Sequence, residues 1–206
     1  LIDNPSGGMM LGVTIGSGYH AHPLDTSTQD RFYMLKVTDV YAVSEEEPTL
    51  ITEASLFDAT SNVLGQGSDE ERAAATLLLN ASSGWYITMP NDGEKVLSSP
   101  ITIAGKSIFT TYEPLASTSG CTIQPGTSRE YVVDIDDATP ALDLAAPTSE
   151  SLVAEDRSRQ LGTGSIVDEP VIMITEEGGV STFLGTEKGS VNIGNDRVIR
   201  TFWYQN

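Results

Sequence analysis

The chain has 206 residues, 39% of them apolar, and carries 29 acidic against 11 basic side chains for a net charge of −18. That length suits one domain with a sizeable core or two small ones, and the charge argues against a nucleic-acid ligand, whose phosphates most of the surface would repel. No apolar run reaches the ~18 residues of a membrane span, and the single cysteine, Cys121, leaves no internal disulfide to form.

The chain opens on Leu1 without a basic stretch ahead of an apolar one, so any leader lies upstream, and the missing start Met points to a fragment or a processed product. The first predicted unit is a strand at Val13-Thr14-Ile15-Gly16-Ser17, a loop, and a second strand at Arg31-Phe32-Tyr33-Met34-Leu35-Lys36-Val37. The loop reads as an inter-strand connection: its glycines relax the backbone leaving the strand, and Pro23 stiffens it. Asp30 and Arg31 lead into the next strand and either pair elsewhere or stand exposed.

A different kind of segment follows, at about residues 45–84. It begins with Glu45-Glu46-Glu47-Pro48, adjacent carboxylates that read as a solvated loop because consecutive acids rarely converge on a metal. Ser68-Asp69-Glu70-Glu71 is a capping-box pattern, with a serine N-cap and a glutamate three residues on. Ala74, Leu77, Leu78 and Ala81 then share one helical face, and Gly84 is placed to end the helix.

Two hairpins downstream repeat one pattern. Ser99-Pro100-Ile101-Thr102-Ile103-Ala104-Gly105-Lys106-Ser107-Ile108-Phe109 reads as strand, glycine turn and strand. So does Glu169-Pro170-Val171-Ile172-Met173-Ile174 followed by Gly179-Val180-Ser181-Thr182-Phe183. Each has a proline at a strand start, where no ladder N–H is needed, and a Gly-x-Ser-x-Phe run. The strand through Ile108-Phe109-Thr110-Thr111-Tyr112 leads to Arg129-Glu130-Tyr131-Val132-Val133-Asp134-Ile135, in which Tyr131, Val133 and Ile135 alternate with Glu130, Val132 and Asp134. Residues 138–164 read as a partly mobile linker rich in Ala, Pro, Ser and charge. Phe183-Leu184-Gly185-Thr186-Glu187-Lys188-Gly189-Ser190-Val191 is another strand, turn and strand, and Val198-Ile199-Arg200-Thr201-Phe202-Trp203-Tyr204 a last one.

The sum is roughly nine or ten strands. At four per blade this makes roughly two to three blades of a β-propeller. The expected fold class is therefore all-β: part of a quinoprotein-like propeller with an inserted short α-helix. A β-sandwich fits the strand count nearly as well, but not the repeated hairpins.

Catalytic and metal chemistry finds little support. Gly105-Lys106-Ser107 resembles the end of a P-loop, but Pro100 stands where that motif needs its first glycine, and the segment lies in a hairpin. There is no Gly-x-Ser-x-Gly elbow, and only His20 and His22 could serve as bases, for a serine or for Cys121. His20 and His22 point the same way on an extended chain, with Asp25 and Asp30 the nearest candidates for a third metal ligand; the plainer reading is hydrogen bonding within a loop. Asp134, Asp136, Asp137 and Asp143 miss the EF-hand pattern, since Ala138, Thr139 and Ala145 hold its fifth, sixth and twelfth positions, so these acids read as a turn after a strand. Asn80-Ala81-Ser82 fits a glycosylation triplet, a weak signal. No catalytic, cofactor-binding or metal-binding residue is assigned.

Several motifs nonetheless form an ordered series. Gly16-Ser17-Gly18-Tyr19, Ala21-His22-Pro23-Leu24 and Gln29-Asp30-Arg31-Phe32-Tyr33 resemble a signature of the PilY-type tip-associated adhesins of type IV pili. Gly84-Trp85-Tyr86-Ile87, Gly93-Glu94-Lys95-Val96-Leu97 and Phe109-Thr110-Thr111-Tyr112 continue it in the family's order. The resemblance runs from about Val13 to the C-terminus. It implies that residues 1–206 are the C-terminal portion of a modified β-propeller domain, with too few blades to close a ring. It also implies a protein secreted through the periplasm to the bacterial cell surface. There it would sit with minor pilins at the pilus tip, promote pilus assembly, and contribute to attachment to host or abiotic surfaces and to surface sensing. Two departures stand out. The position of His20 is commonly arginine in such proteins. The family's Asp-rich calcium loop should precede this segment, so calcium is expected elsewhere in the propeller and is assigned to no residue here.

The expected function is thus a non-enzymatic tip adhesin and assembly module. The alternative is a fragment of a quinone-dependent propeller oxidoreductase, and a third reading is a purely structural piece that closes a ring. A partial propeller exposes sheet edges, so the chain is expected to pack against the remaining propeller segment of the same protein or against a pilin.

Overall fold

Strands arise where β-branched and aromatic residues alternate, and in the computed structural model they assemble into three antiparallel-based sheets that follow one another along the chain. The structure describes residues 2–3, 9–37, 50–115, 125–145, 151–174 and 180–193. Glu45 to Pro48, Cys121, Gly179 and the strand expected at 198–204 lie outside the described residues.

The first sheet contains β1 (Ile2–Asp3), β2 (Met9–Gly16), β3 (Arg31–Val37), β4 (Phe57–Asp58) and β5 (Gly84–Thr88), in the order β1-β2-β3-β5-β4. The predicted pair β2–β3 runs antiparallel from Leu11↔Val37 to Gly16↔Phe32. β4 joins β5 in parallel, outside any predicted unit. Gly84 does not end the helix. Its φ of +145° opens β5, where a Cβ would overlap the carbonyl oxygen of Met34 on the neighbouring strand.

The second sheet contains β6 (Lys95–Val96), β7 (Ile101–Ile103), β8 (Lys106–Glu113), β9 (Thr127–Asp134) and β10 (Ser158–Gln160). Its order is β10-β9-β8-β6, with β7 also paired to β8. The β7–β8 hairpin turns on Ala104 (φ 49°) and Gly105 (φ 73°), the double left-handed geometry of a two-residue type I′ turn. The third sheet is the meander β11 (Val171–Ile174), β12 (Val180–Leu184) and β13 (Glu187–Ile193).

The period-2 alternation predicted for β9 is what layers the molecule. Phe109 of β8, Tyr131 and Val133 of β9, and Ile135 just beyond it meet Phe32, Met34 and Trp85 of the first sheet in one buried cluster. The ring of Phe32 stacks on Phe109 at 3.8 Å and Phe109 on Tyr131 at 5.0 Å, while Trp85 Nε1 donates to the Ile135 carbonyl at 2.9 Å. The intervening residues, Ile108 and Val132, pack on the opposite side with Val191 of the third sheet. The second sheet is therefore the middle layer, with apolar packing on both faces.

Two helices sit between β3 and β5: α1 (Val63–Gln66) and α2 (Asp69–Ala81), preceded by a 3-10 turn at Glu53–Ser55. The chain is thus mostly β rather than all-β, with thirteen strands among the described residues in place of nine or ten. Most of the surplus are pairings only two or three residues long, too short to leave a periodic signal. The predicted capping box forms: Glu71 N donates to Ser68 Oγ at 3.3 Å and Ser68 N to Glu71 Oε2 at 2.8 Å. The buried face differs from the predicted one. Ala75 and Leu79 join the cluster beside Phe57 and Ala59, with Val63 and Leu64 of α1 packed against it, while Leu77 (72% exposed) and Leu78 (62%) face solvent.

The described part of 138–164 is more than a linker. Ala138, Asp156, Arg157 and Leu161 are buried, Pro140 bridges to Val133, and β10 extends the middle sheet.

Candidate functional site

Charged residues are buried where the first sheet meets the second. Gly93, in a left-handed conformation (φ 71°), delivers Glu94 and Lys95 inward at β6, and both are fully enclosed. Glu94 Oε1 accepts from Thr111 Oγ1 at 2.5 Å and from Tyr131 OH at 2.9 Å, and Oε2 accepts from Asn91 Nδ2 at 2.7 Å. Arg129 lies 4.0 Å from Glu94 and 2.6 Å from Glu113. Burial, and then the Glu94 charge, push the Tyr131 hydroxyl well above its ordinary value, so it remains a neutral donor. Lys95 Nζ donates to the carbonyl of Asp25 and to that of Gly93, and stands 3.8 Å from Asp30. This lysine pins the loop between β2 and β3 from beneath.

A second focus is Arg157, from the 3-10 turn Ala154–Arg157. Its Nε donates to the Ala138 carbonyl at 2.9 Å, Nη1 to Thr60 at 2.8 Å and Nη2 to Ala59 at 2.7 Å, tying β10 to the helical insertion. Desolvation lowers its pKa to about 10. Beside it, between the first two sheets, lies a cavity of about 290 Å³ walled by Ile87, Met89 and Pro90. At the interface of the second and third sheets, the fully buried Glu130 accepts from Arg159 Nε at 2.7 Å, Ser190 Oγ at 2.8 Å and Ser190 N at 2.9 Å.

The residues weighed from sequence are not brought together. His20 and His22 are exposed in the β2–β3 loop, where His22 contacts the Tyr19 ring at 4.9 Å between centroids. Asp25 accepts from the Ser27 amide at 2.9 Å, which holds its carboxyl below the ordinary value. Asp30 is not exposed. It is buried and accepts from Ser17 Oγ at 2.8 Å. Arg31 pairs with Glu53 at 3.3 Å and lies over the Tyr86 ring. Asp134 and Asp137 accept from the Asp136 and Thr139 amides, each at 2.9 Å, as expected of a turn. Gly105-Lys106-Ser107 stays in its hairpin. Among the described residues, no three His, Cys, Asp or Glu side chains converge as metal ligands, and no helix is long and apolar enough to cross a membrane. Sequence reasoning missed Glu94, Lys95, Glu130 and Arg157 as buried charges. Only Glu94 and Lys95 left a trace, inside the Gly93-Glu94-Lys95-Val96-Leu97 motif.

No protein-family model matches the chain, and no curated protein does. Among solved structures, the chain is similar to the crystal structure of the Pseudomonas aeruginosa PilY1 C-terminal domain, with a TM-score of 0.59 and 13% sequence identity. The match covers 91% of this chain and 42% of that one, so the chain spans less than half the length of the structure it resembles. The fold is shared across nearly the whole of this chain, while the sequences have diverged widely.

Proposed function

We propose that the chain is a segment of a propeller-type domain in a type IV pilus protein, and that it acts as a non-enzymatic module for pilus assembly and surface attachment. The observation that carries this reading is the fold shared with the PilY1 C-terminal domain over 91% of the chain. The ordered run of PilY-type motifs supports it independently, since those motifs are read from sequence alone. On this reading the three stacked sheets are consecutive blades, and the remaining blades belong to other parts of the same protein. The protein is secreted through the periplasm and sits with minor pilins at the pilus tip. No residue here is assigned to calcium, quinone or catalysis.

The test is an in-frame deletion of this segment from the full-length protein in its piliated host. The expected result is loss of surface pili in sheared fractions and of surface attachment, both restored by the intact gene. Normal piliation and attachment without the segment would overturn the reading. A redox assay with added quinone and calcium should show no turnover; reproducible turnover would favour an enzyme instead.

A further inference from the structure

Arg157 poses a problem of charge. The residue is only 5% exposed, and the three nitrogens of its guanidinium donate to the carbonyls of Ala138, Thr60 and Ala59. Those carbonyls satisfy three of its five N–H donors but carry no net charge. Among the described residues no carboxylate approaches it within ion-pair distance. Asp137, Glu155 and Asp58 act on it only from farther away. A buried cation held without an anion is costly, and the neighbouring space decides whether one can be supplied.

That space is the cavity of about 290 Å³, which Arg157 lines together with Ile87, Met89, Pro90 and Ala154, while exposed Glu155 stands at its rim. Ile87, Met89, Pro90 and Ala154 give it an apolar strip, while Thr60, Thr88, Asn91, Tyr131 and Ser158 contribute polar groups beside the one buried cation. Its volume lies at the small end of ligand pockets, equal to the share of about ten liquid waters, and it accommodates a ligand the size of isovalerate.

We infer that this cavity binds a small monocarboxylate with an aliphatic body. The carboxylate supplies the missing charge and accepts from the N–H groups of Arg157 left over by the carbonyls, one on each terminal nitrogen, a fork suited to two carboxylate oxygens. The hydrocarbon lies along Ile87 and Met89. Glu155 at the rim repels a second anionic group, so a dicarboxylate binds less well. This inference does not depend on the pilus reading.

The experiment is an NMR titration of the full chain with isovalerate, with neutral isovaleramide of the same shape, and with glutarate. Isovalerate should saturably shift the Arg157 Nε–H signal and the amides of Ile87 and Met89. Isovaleramide and glutarate should bind at least about tenfold more weakly, since each loses or opposes a charge interaction. Glu155→Gln, an exposed change that leaves folding intact, should tighten isovalerate about two- to five-fold by removing a like charge. Ala154→Phe, which fills the mouth, should abolish binding. The proposal is overturned by equal binding of acid and amide, by an unchanged response in either variant, or by no saturable shift at about 10 mM, tenfold above the millimolar Kd expected of so small a ligand.

Discussion

Glu94 is a charge held entirely by neutral donors and one distant arginine. Thr111, Tyr131 and Asn91 each point a proton at it, from three separate segments of the second sheet and its entry loop. Glutamine has the same shape but one acceptor oxygen and no charge, so the bonds from Thr111, Tyr131 and Asn91 lose their charge assistance and the Asn91 amide must turn over to keep its own. Glu94→Gln should therefore cost about 2–4 kcal/mol, read as a lower urea midpoint with unchanged slope. A loss below about 0.5 kcal/mol would show that the network contributes little. Such a residue is hard to find from sequence. Glutamate beside lysine ordinarily marks a solvated turn, and nothing local announces that Gly93 turns both side chains inward. The hairpin at Ala104-Gly105 was legible because its chemistry is local: a glycine between β-branched runs specifies the turn whatever packs against it.

Helix α2 shows the same division at the scale of an element. Its start was legible, since Ser68 and Glu71 satisfy each other's backbone groups without outside help. Its buried face was not. Ala74, Leu77, Leu78 and Ala81 make the more apolar stripe, but the side that meets α1 and β4 is the one carrying Ala75 and Leu79. Leu79→Ala should cost about 2–4 kcal/mol by opening a cavity. Leu77→Gln and Leu78→Gln should stay within about 0.5 kcal/mol and raise solubility. Equal losses at Leu77 and Leu79 in chemical denaturation would contradict the observed packing. The cap also has a pH dependence with a defined sign. The Ser68 amide and hydroxyl hold the Glu71 carboxyl below its ordinary 4.5. Because the folded value is the lower one, the stabilisation is complete above 4.5 and fades as pH falls through the folded value. Helicity followed by circular dichroism in acid should drop less steeply in Glu71→Gln than in the parent chain; identical profiles would rule the cap out as the cause.

Across the whole molecule, the middle sheet joins two interfaces built in different ways. Toward the first sheet, the Phe32–Phe109–Tyr131 stack and the Trp85 hydrogen bond supply a broad aromatic contact. Toward the third sheet the apolar cluster is smaller, around Ile108, Val132 and Val191; the buried Glu130 reaches across it to Ser190, and Arg159, its neighbour on β10, reaches across to Ser190 and to the Lys188 carbonyl at 3.0 Å. β9 contributes to both because successive residues face opposite ways, which is why its alternation in sequence foretold a strand but not that polar Glu130 would be as enclosed as its apolar neighbours. The two interfaces should fail separately. Arg159→Met leaves Glu130 buried with only Ser190 to hold it, and should cost about 2–4 kcal/mol. Native-state hydrogen exchange should then quicken at residues 180–191 while the amides of β3 and β5 keep their protection. The double variant Glu130→Leu with Arg159→Met, which removes the charge along with its partner, should recover much of the loss. Uniform loss of protection across all three sheets would mean instead that the layers unfold as one unit, and that the ion pair stabilises the molecule without singling out one interface.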